Sequence, residues 1–361
     1  MTANLPDMKS MLGLIAAGER LSEAQAETAF DIMMSGDATP AQMGGFLMGL
    51  RVRGETIEEI TGAVRAMRAK ALRVEAPAGA IDTVGTGGDA SGTFNVSTAT
   101  AFVVAGCGVP VAKHGNRAFT SKSGAADVLS ALGVNLDADF RLIEQALREA
   151  GIGFLMAPRH HGAMRHVAGP RVELATRTIF NILGPLSNPA GVKRLLIGVF
   201  ARHWLEPMAT VFGRLGGERA WIVHGEDGLD EITLTGPTHV AEFRANEVRS
   251  FSVTPEDAGL PRAKAEDLKG GEPEENAAVM QDLLNGTHGP IRDFVVLNAA
   301  AALVVADKAD DLKAGAALAV EALDGGGARA ALDKLVEITN LPPPPPPEED
   351  DEANQSGEAA A

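Results

Sequence analysis

The stretch DTVGTGGDASGTFNVSTATA, residues 82–101, decides the fold class. A short apolar strand, AIDTV, leads into it, and a helix-like apolar run, STATAFVVAG, leaves it. A strand, a glycine-rich loop and a helix N-terminus together form a common phosphate cradle, because glycines allow close approach and free N–H groups face the anion. The stretch therefore predicts an α/β fold with a bound phosphate ligand.

Two narrower interpretations of this loop are weaker. No Gly-Lys-Ser or Gly-Lys-Thr follows, so the loop is not a Walker motif. The spacing Gly85-x-Gly87-x-x-Ala90 matches a permissive dinucleotide fingerprint, but the acidic residue expected about twenty residues later is missing. A tight turn without any ligand is the simplest alternative.

The residues that follow favour a ligand. From Ala90 to Ala126 the chain has no Asp or Glu, although 48 of its 361 residues are acidic. The same span carries Lys113, His114, Arg117 and Lys122. The segment KHGNRAFTSKSG follows the strand VPVA, so it lies at the carboxyl end of a strand, where open parallel sheets bind ligands. A cationic, hydroxyl-rich region in an acidic chain predicts a bound polyanion.

Composition limits the other partners. The net charge of −16 argues against nucleic acid as a general partner, because polyanions are repelled, although part of this charge lies in the C-terminal EEDDE. The single cysteine, Cys107, excludes disulfides within the chain and Cys-based zinc sites. No secretory leader pattern and no apolar run of membrane-spanning length occurs, so we expect a cytoplasmic protein without a membrane partner.

Residues 1–73 are predicted to form a small helical domain. Capping boxes begin helices at Ser22 and Thr56, and Thr39-Pro40 is an N-cap followed by proline at the first helical position. Gly36 and Gly54 follow the last apolar positions of two of these helices, as helix-ending glycines do.

Residues 74–340 are predicted to form a large α/β domain with a mainly parallel central sheet. The strands AIDTV, VPVAK, GIGFLM, RLLIGVF and RAWIVHG alternate with helical segments, which is typical of a parallel sheet covered on both faces. A helical segment near 168–190 is expected to return to the helical domain. Residues 341–361, a proline run followed by acids, are predicted to be a disordered tail.

The segment GEDGLDEI, residues 225–232, is a candidate metal site. Asp230 and Glu231 are adjacent carboxylates in a loop after a predicted strand. Hard carboxylate oxygens suit Mg²⁺, which usually keeps waters and bridges to substrate phosphates. An ordinary acidic turn is an equally simple interpretation of these residues alone.

His160 and His161 lack a third metal ligand at standard spacing, so they are expected at the surface or lining a tunnel.

Five motifs in order carry a family resemblance: GTGGD, FNVST, KHGNRA, RTIFNILGPL with its NP, and DGLDE. Over roughly residues 8–338 the chain resembles the anthranilate phosphoribosyltransferases. The resemblance implies a fold of the nucleoside phosphorylase and phosphoribosyltransferase kind and a homodimer joined through the helical domains. It also implies transfer of the 5-phosphoribosyl group from phosphoribosyl pyrophosphate (PRPP) to the amine of anthranilate, in tryptophan biosynthesis.

The resemblance also implies a set of site residues. For PRPP these are Gly85, Gly87, Gly88, Asp89, Thr93, Asn95, Val96, Ser97, Thr98, Lys113, His114, Gly115, Asn116, Arg117, Ala118, Phe119, Thr120, Ser121 and Ala125, with Lys113 as the main point charge. For anthranilate they are Gly85, His114, Asn116, Pro158, Arg171 and Gly184. Two Mg²⁺ ions per monomer are expected, on Ser97, Asp230 and Glu231. No acid–base or nucleophilic residue is implied, because positioning and electrostatics carry the reaction.

Two departures and two alternatives accompany this interpretation. Phe119-Thr120 replaces the smaller residues common in the family, and Gly162 stands where proline is frequent. A pyrimidine-nucleoside phosphorylase is the nearest alternative, but KHGNRA and RTIFNILGPL favour the transferase. A non-catalytic nucleic-acid binder would need a basic face, and the acidic chain with its Asp230-Glu231 pair argues against one.

Overall fold

The computed structural model describes residues 7–89, 91–118 and 122–345. Three of the expected PRPP-site residues lie outside these ranges: Phe119, Thr120 and Ser121. No helix among the described residues is both long enough and apolar enough to cross a membrane.

The chain begins with a layer of four helices whose ends follow local capping chemistry. The hydroxyls of Ser22, Thr39 and Thr56 each accept the backbone N–H of the residue three positions on, at 3.3 Å. Gly36 and Gly54 follow two of the helices with φ of +86° and +90°. The predicted helix starts are therefore confirmed. The helices are α1 Met8–Ala16, α2 Glu23–Ser35, α3 Pro40–Arg53 and α4 Ile57–Ala69.

A seven-stranded sheet forms the centre of the rest of the chain, with strand order β3-β2-β1-β4-β5-β6-β7. The first five strands in this order run parallel to one another, as predicted. Strand β6 then runs antiparallel to β5, and β7 runs antiparallel to β6. The sequence interpretation did not identify the antiparallel pair. The strands are β1 Ile81–Gly85, β2 Val111–Gly115, β3 Ile152–Met156, β4 Arg194–Gly198, β5 Arg219–Gly225, β6 Thr238–Arg244 and β7 Glu247–Val253.

Eleven α-helices among the described residues follow β1, and several of them pack on the sheet. Two of them, α5 and α13, are almost wholly buried because they consist of small and branched apolar residues that pack close to the strands. These helices are α5 Val96–Gly106, α6 Ala125–Ala131, α7 Phe140–Glu149, α8 Ala157–His160, α9 Arg165–Leu174, α10 Phe180–Leu186, α11 Leu205–Arg214, α12 Pro273–Leu284, α13 Pro290–Val305, α14 Leu312–Asp324 and α15 Gly327–Thr339.

The strand order fixes where a ligand crevice opens. β1 lies between β2 on one side and β4 on the other, so the connections after β1 and β4 leave in opposite directions. Such a reversal of strand order opens a crevice at the carboxyl ends of the strands. Gly85 and Gly198 are paired at the ends of β1 and β4, so the glycine-rich loop starts in this crevice.

Helices α9 and α10 pack against the N-terminal helical layer. The ring of Phe180 meets that of Phe30 edge-on at 5.5 Å, and Phe30 in turn meets Phe46 at 5.9 Å. Arg68 of α4 donates from Nε to the carbonyl of Leu186 at 2.8 Å. The segment expected to return to the helical domain therefore contacts it, while the domain boundaries after residues 73 and 340 stay predictions.

The described part of the C-terminal tail is residues 341–345, and it forms neither helix nor strand. Arg141 of α7 donates to the carbonyls of Pro344, at 2.7 Å, and of Pro345. The first residues of the tail thus contact the body. Residues 346–361, on which the prediction of disorder mainly falls, lie outside the described residues.

Gly62 allows α4 to pack closely against α2, and a side chain at this position should destabilise the protein. A Cβ on Gly62 would lie 2.3 Å from the carbonyl oxygen of Glu23. Gly62→Ala should therefore destabilise the protein by about 1–3 kcal/mol, despite the gain of about 1 kcal/mol in helix propensity. Gly44→Ala in α3 is the matched control, since its Cβ would meet nothing within 4 Å. Urea unfolding of both variants measures the difference, and equal stability would contradict this packing.

Candidate functional site

The glycine-rich loop leaves β1 with unpaired amide groups. Gly87 and Gly88 have φ of +69° and +78°, a left-handed turn that favours glycine. The Gly87 N–H donates to Oδ2 of Asp230 at 2.7 Å. The N–H groups of Gly88 and Asp89 have no acceptor within the described part of the chain. Two adjacent amides are therefore available to an anion.

Helix α5 begins at the same edge of the sheet with an uncapped N-terminus. Its N-cap residue, Asn95, makes no side-chain cap. Instead, the Asn95 amide binds the Ser123 carbonyl at 3.1 Å and accepts from Asn276 at 2.8 Å. The N–H of Ser97 has no acceptor among the residues described. An uncapped N-terminus carries partial positive charge and favours a phosphate.

Lys113 is buried beneath this helix end and does not reach into the crevice. Its Nζ donates to the carbonyl of Thr83 at 2.6 Å and to Oγ of Ser97 at 3.3 Å. Burial lowers the pKa of the ammonium, and the charges of Asp82 and Glu231 oppose that shift. In this structure Lys113 therefore balances buried carboxylates from behind Ser97, whereas the sequence suggested a free charge facing phosphates.

Asp82 accounts for the place of Lys113. Its carboxylate is fully buried, accepts from Nδ2 of Asn188 at 2.8 Å and from the backbone N–H of His114 at 3.3 Å. Burial raises the pKa of Asp82 to about 6, and the charge of Lys113 acts against this rise. No pattern in the sequence indicated a role for Asp82 or for Asn188 of the NP pair.

Three carboxylates crowd beside the glycine loop. Burial and the negative charge of Asp89 raise the pKa of Asp230 to about 7. Burial and the charge of Asp230 likewise raise the pKa of Glu231. Such crowding disfavours the charged forms, and a divalent cation would relieve it.

The donor set fits Mg²⁺ in particular. Asp230, Glu231 and the Ser97 hydroxyl offer hard oxygen ligands, which Mg²⁺ prefers. Within the described ranges, no three His, Cys, Asp or Glu side chains are grouped so as to hold a metal by themselves. Mg²⁺ usually completes its shell with water and substrate phosphates.

The second loop, after β2, is less cationic than its sequence suggests. Arg117 pairs with Asp127 at 3.0 Å, and the other oxygen of Asp127 accepts the N–H groups of Ala118 and Gly124. The acid-free span is thus neutralised by acids that fold onto it from outside. Asn116 accepts from the Arg117 N–H, and its amide nitrogen has no partner among the described residues, so it can reach a ligand.

The remaining expected PRPP-site residues lie along the two loops and the helices they enter. Thr93 forms an isolated antiparallel β-bridge with Lys269. The carbonyl of nearby Ser91 accepts a hydrogen bond from the Lys269 ammonium at 2.5 Å. Gly115 ends β2 and leaves no room for a Cβ beside Phe154. The others are the first-turn residues Val96 and Thr98 of α5, Ala118 in the second loop and Ala125 at the start of α6.

Arg171, on α9, carries an unpaired guanidinium. It has neither a hydrogen-bond nor an ion-pair partner in the described ranges, and its Cζ lies 5.1 Å from the Phe180 ring centroid. Partial burial lowers its pKa. A planar, half-buried cation without a counter-ion is suited to bind a carboxylate through two parallel hydrogen bonds.

Buried histidines lie between β2 and α10. His114 contacts the Gly184 carbonyl through Nδ1 at 3.3 Å, and its ring lies 5.1 Å from that of His161. Burial lowers the pKa of His114 to about 3 and that of His161 to about 4, so both rings are neutral. Pro158 lies nearby in sequence, at the start of α8 directly after β3.

The surface alternative for the histidine pair is wrong. His160 and His161 are both buried, and His160 stacks on Phe140 at 4.7 Å. The Nε2 atoms of His114 and His161 have no partner among the described residues, which leaves them available to a ligand. A tunnel-lining role stays a prediction.

Sequence reasoning missed two cations at the glycine loop. Arg177, between α9 and α10, donates to the Gly88 carbonyl, and its Cζ lies 4.2 Å from the Phe200 ring centroid. Lys269, which is distant in sequence, donates a hydrogen bond to the carbonyl of Ser91 in the later part of the loop. Arg177 opens the RTIFNILGPL motif, but no local pattern indicated its long-range contact.

Comparisons with known proteins agree with this architecture. Residues 9–71 match the helical bundle domain of a glycosyl transferase family, and residues 78–329 match its a/b domain. The anthranilate phosphoribosyltransferase of Paramagnetospirillum magneticum is 67% identical over 92% of this chain and 96% of that protein. The enzyme of the same name from Rhodospirillum rubrum is 64% identical over 94% and 98%.

Solved structures give the same result. The crystal structure of anthranilate phosphoribosyltransferase from Thermus thermophilus has 45% sequence identity and a TM-score of 0.88, covering 92% of this chain and 99% of that one. The Saccharomyces cerevisiae enzyme in complex with PRPP and Mg has 28% identity and a TM-score of 0.84, covering 93% and 99%.

The buried His161 should make stability fall with acid. Its pKa is about 4 in the folded state and near 6.5 when unfolded, so unfolding takes up a proton as the pH drops below 6.5. The wild type should lose stability between pH 7 and pH 5. In His161→Gln this loss should be smaller by about 2 kcal/mol, because the residue that takes up the proton is gone. His288→Gln, at an exposed position, is the control. Urea unfolding across this pH range measures the slopes; identical slopes for all three proteins would contradict the assignment.

Proposed function

The chain belongs to the anthranilate phosphoribosyltransferase family, and from this premise we propose that it transfers the 5-phosphoribosyl group of PRPP to the amine of anthranilate, as a step of tryptophan biosynthesis. The products are N-(5-phosphoribosyl)anthranilate and pyrophosphate. The strongest support within the molecule is the convergence of free loop amides, the uncapped end of α5 and the Asp230-Glu231 pair at the β1–β4 crevice.

The donor would bind along the glycine loop. The N–H groups of Gly88, Asp89 and Ser97 are unpaired in the described part of the chain and suit phosphate oxygens. Asn116 and the second loop would close the other side. Lys113 supports this arrangement from behind, because its hydrogen bond to Ser97 holds a positive charge under the helix end. The proposed PRPP site also includes Phe119, Thr120 and Ser121, which lie outside the described residues.

Mg²⁺ would be held by Asp230 and Glu231, with Ser97 as a further ligand, and we propose two ions per monomer. Raised pKa values at Asp230 and Glu231 support a bound cation, because burial leaves these carboxylates short of positive charge. When bound, Mg²⁺ would offset the charge that accumulates on pyrophosphate as it leaves.

The acceptor would bind at the edge of the helical layer. Arg171 would pair with the anthranilate carboxylate, since its guanidinium lacks a counter-ion among the described residues. Asn116 offers a free amide nitrogen, and the neutral His114 with Gly184 would shape the aromatic pocket. Pro158 and Gly85 complete the proposed acceptor set.

These groups can perform the transfer without an acid–base residue. The amine nitrogen bonds to the anomeric carbon of ribose while the carbon–oxygen bond to pyrophosphate breaks and the electron pair leaves with pyrophosphate. The nitrogen then loses a proton to water. An aryl amine is neutral at pH 7, so placing it against the sugar supplies much of the rate. The loop amides and the α5 end stabilise the charge that develops on pyrophosphate.

We also infer a homodimer formed through the helical domain and a cytoplasmic location. Val52 on α3 is 81% exposed and Val172 on α9 is 66% exposed, which are large values for apolar side chains. Both lie on the helical side of the molecule and would be covered in a dimer. A single cysteine and no disulfide are compatible with a reducing compartment.

Loss of anthranilate fluorescence in the presence of PRPP and Mg²⁺ tests the activity and the metal site together. We expect turnover that depends on Mg²⁺, and the double variant Asp230→Asn with Glu231→Gln should lose about a hundredfold or more of it. Glu226→Gln, an exposed acid in the same loop, is the matched control and should retain activity.

Circular dichroism must verify that the double variant folds. No turnover by the wild-type protein would overturn the proposed function. Turnover that ignores Mg²⁺, or a fully active double variant, would overturn the metal assignment alone.

Arg171 and Lys113 should affect different substrates. Arg171→Ala should raise the KM for anthranilate roughly tenfold to a hundredfold, the equivalent of about 1.5–3 kcal/mol for a lost carboxylate contact, and leave the KM for PRPP nearly unchanged. Lys113→Gln should instead weaken PRPP binding and so raise the KM for PRPP, because it removes the positive charge beneath Ser97. Arg165→Ala, exposed on the same helix α9, is the control. If Arg171→Ala changed the KM for PRPP alone, the proposed acceptor site would be misplaced.

A further inference from the structure

We propose that Arg177 is a positioning residue that fixes the glycine loop for PRPP and links the donor site to the segment that carries Arg171. The inference rests on the proposed function and adds to it a residue that acts on both substrates without reacting with either.

Arg177 contacts both the glycine loop and an aromatic ring. Its guanidinium donates to the carbonyl of Gly88 and lies over the Phe200 ring, with Cζ 4.2 Å from the centroid. It has no carboxylate partner among the described residues, so the carbonyl and the ring are the groups that hold it. The Gly88 backbone lies directly against it: a Cβ there would be 3.4 Å from the guanidinium.

The rest of the loop leaves Gly88 unsupported. The Thr86 N–H donates to Gly198 at 2.9 Å, its hydroxyl accepts the Phe200 N–H at 3.0 Å, and Gly87 is bound to Asp230. No described residue other than Arg177 forms a hydrogen bond with the backbone of Gly88. Because glycine has access to more backbone conformations than other residues, this peptide would reorient easily without an external contact.

The orientation of this peptide bears directly on anion binding. In a planar trans peptide the carbonyl and the next N–H point in opposite directions. Arg177 draws the Gly88 carbonyl toward itself and so turns the Asp89 N–H the other way. That N–H is one of the unpaired amides available to a phosphate. Arg177 therefore preorganises a donor group that it does not touch.

The same residue belongs to the acceptor side. Arg177 follows Arg171 by six residues, in the connection between α9 and α10, and this connection is anchored by the Asn181 side chain accepting the Thr178 N–H at 2.9 Å. Any shift of the connection when a carboxylate binds Arg171 would move Arg177 and with it the Gly88 peptide. Coupling between sites is reciprocal, so PRPP binding should also affect the anthranilate site.

Kinetics on Arg177→Met separates this role from simple packing. Methionine keeps apolar contact with Phe200 but cannot donate to Gly88. We expect KM for PRPP to rise about tenfold, the equivalent of one charge-assisted hydrogen bond, and KM for anthranilate to rise as well, while the thermal midpoint stays nearly constant. Arg177→Lys, which can still donate but cannot stack as a plane, should recover part of the loss. Arg202→Met, at an exposed arginine, is the matched control.

Hydrogen exchange of the ligand-free protein gives a second readout that needs no turnover. The peptide covering residues 85–89 should exchange faster in Arg177→Met than in the wild type or in Arg202→Met. Unchanged loop exchange together with unchanged KM values would overturn the inference even if the wild-type enzyme is active. A wild type without transferase activity would overturn the proposed function, while faster loop exchange would still support the contact of Arg177 with the loop.

Discussion

The shape of the site depends on the hydrogen bonds that the buried carboxylate of Asp82 accepts. Within the described residues, β1 and β2 pair at Ile81 and Val111 and then separate. Beyond that point Asp82 accepts the His114 N–H in place of a backbone carbonyl, and Asn188 completes the contact from the segment after α10. The Lys113 ammonium on β2 donates to the carbonyl of Thr83 on β1. Asp82 and Lys113 thus join the ends of the two strands from which the two loops start.

Charge in this site is balanced across the sheet rather than along the chain. The charges of Asp82 on β1 and of Glu231 oppose the lowering of the pKa of Lys113 on β2, whereas Asp230 and Glu231 keep raised pKa values. The uncapped α5 and the unpaired Arg171 are the complementary features: positive groups left without partners in the described part of the chain. Because unmet charge costs stability in a free protein, such groups mark where ligands belong.

The sequence predicted whatever depends on neighbours in the chain. Capping chemistry located the helix starts, and continuous apolar runs located the five parallel strands. The hairpin of β6 and β7 escaped notice because its turn residues, Ala245 and Asn246, adopt φ of +52° and +64° without a glycine, and β7 is largely polar. The burial of Lys113 and the contact of Arg177 also escaped, since both depend on partners brought close by the fold.

The polar character of β7 bears on how copies of this chain meet one another. An edge strand presents unpaired backbone groups that can recruit a strand from another molecule. Along β7, Glu247 and Arg249 are exposed, and charged side chains of this kind oppose such strand addition. At the opposite edge of the sheet, β3 contacts α7 and α8. Growth of the sheet from molecule to molecule is thereby discouraged at the β7 edge.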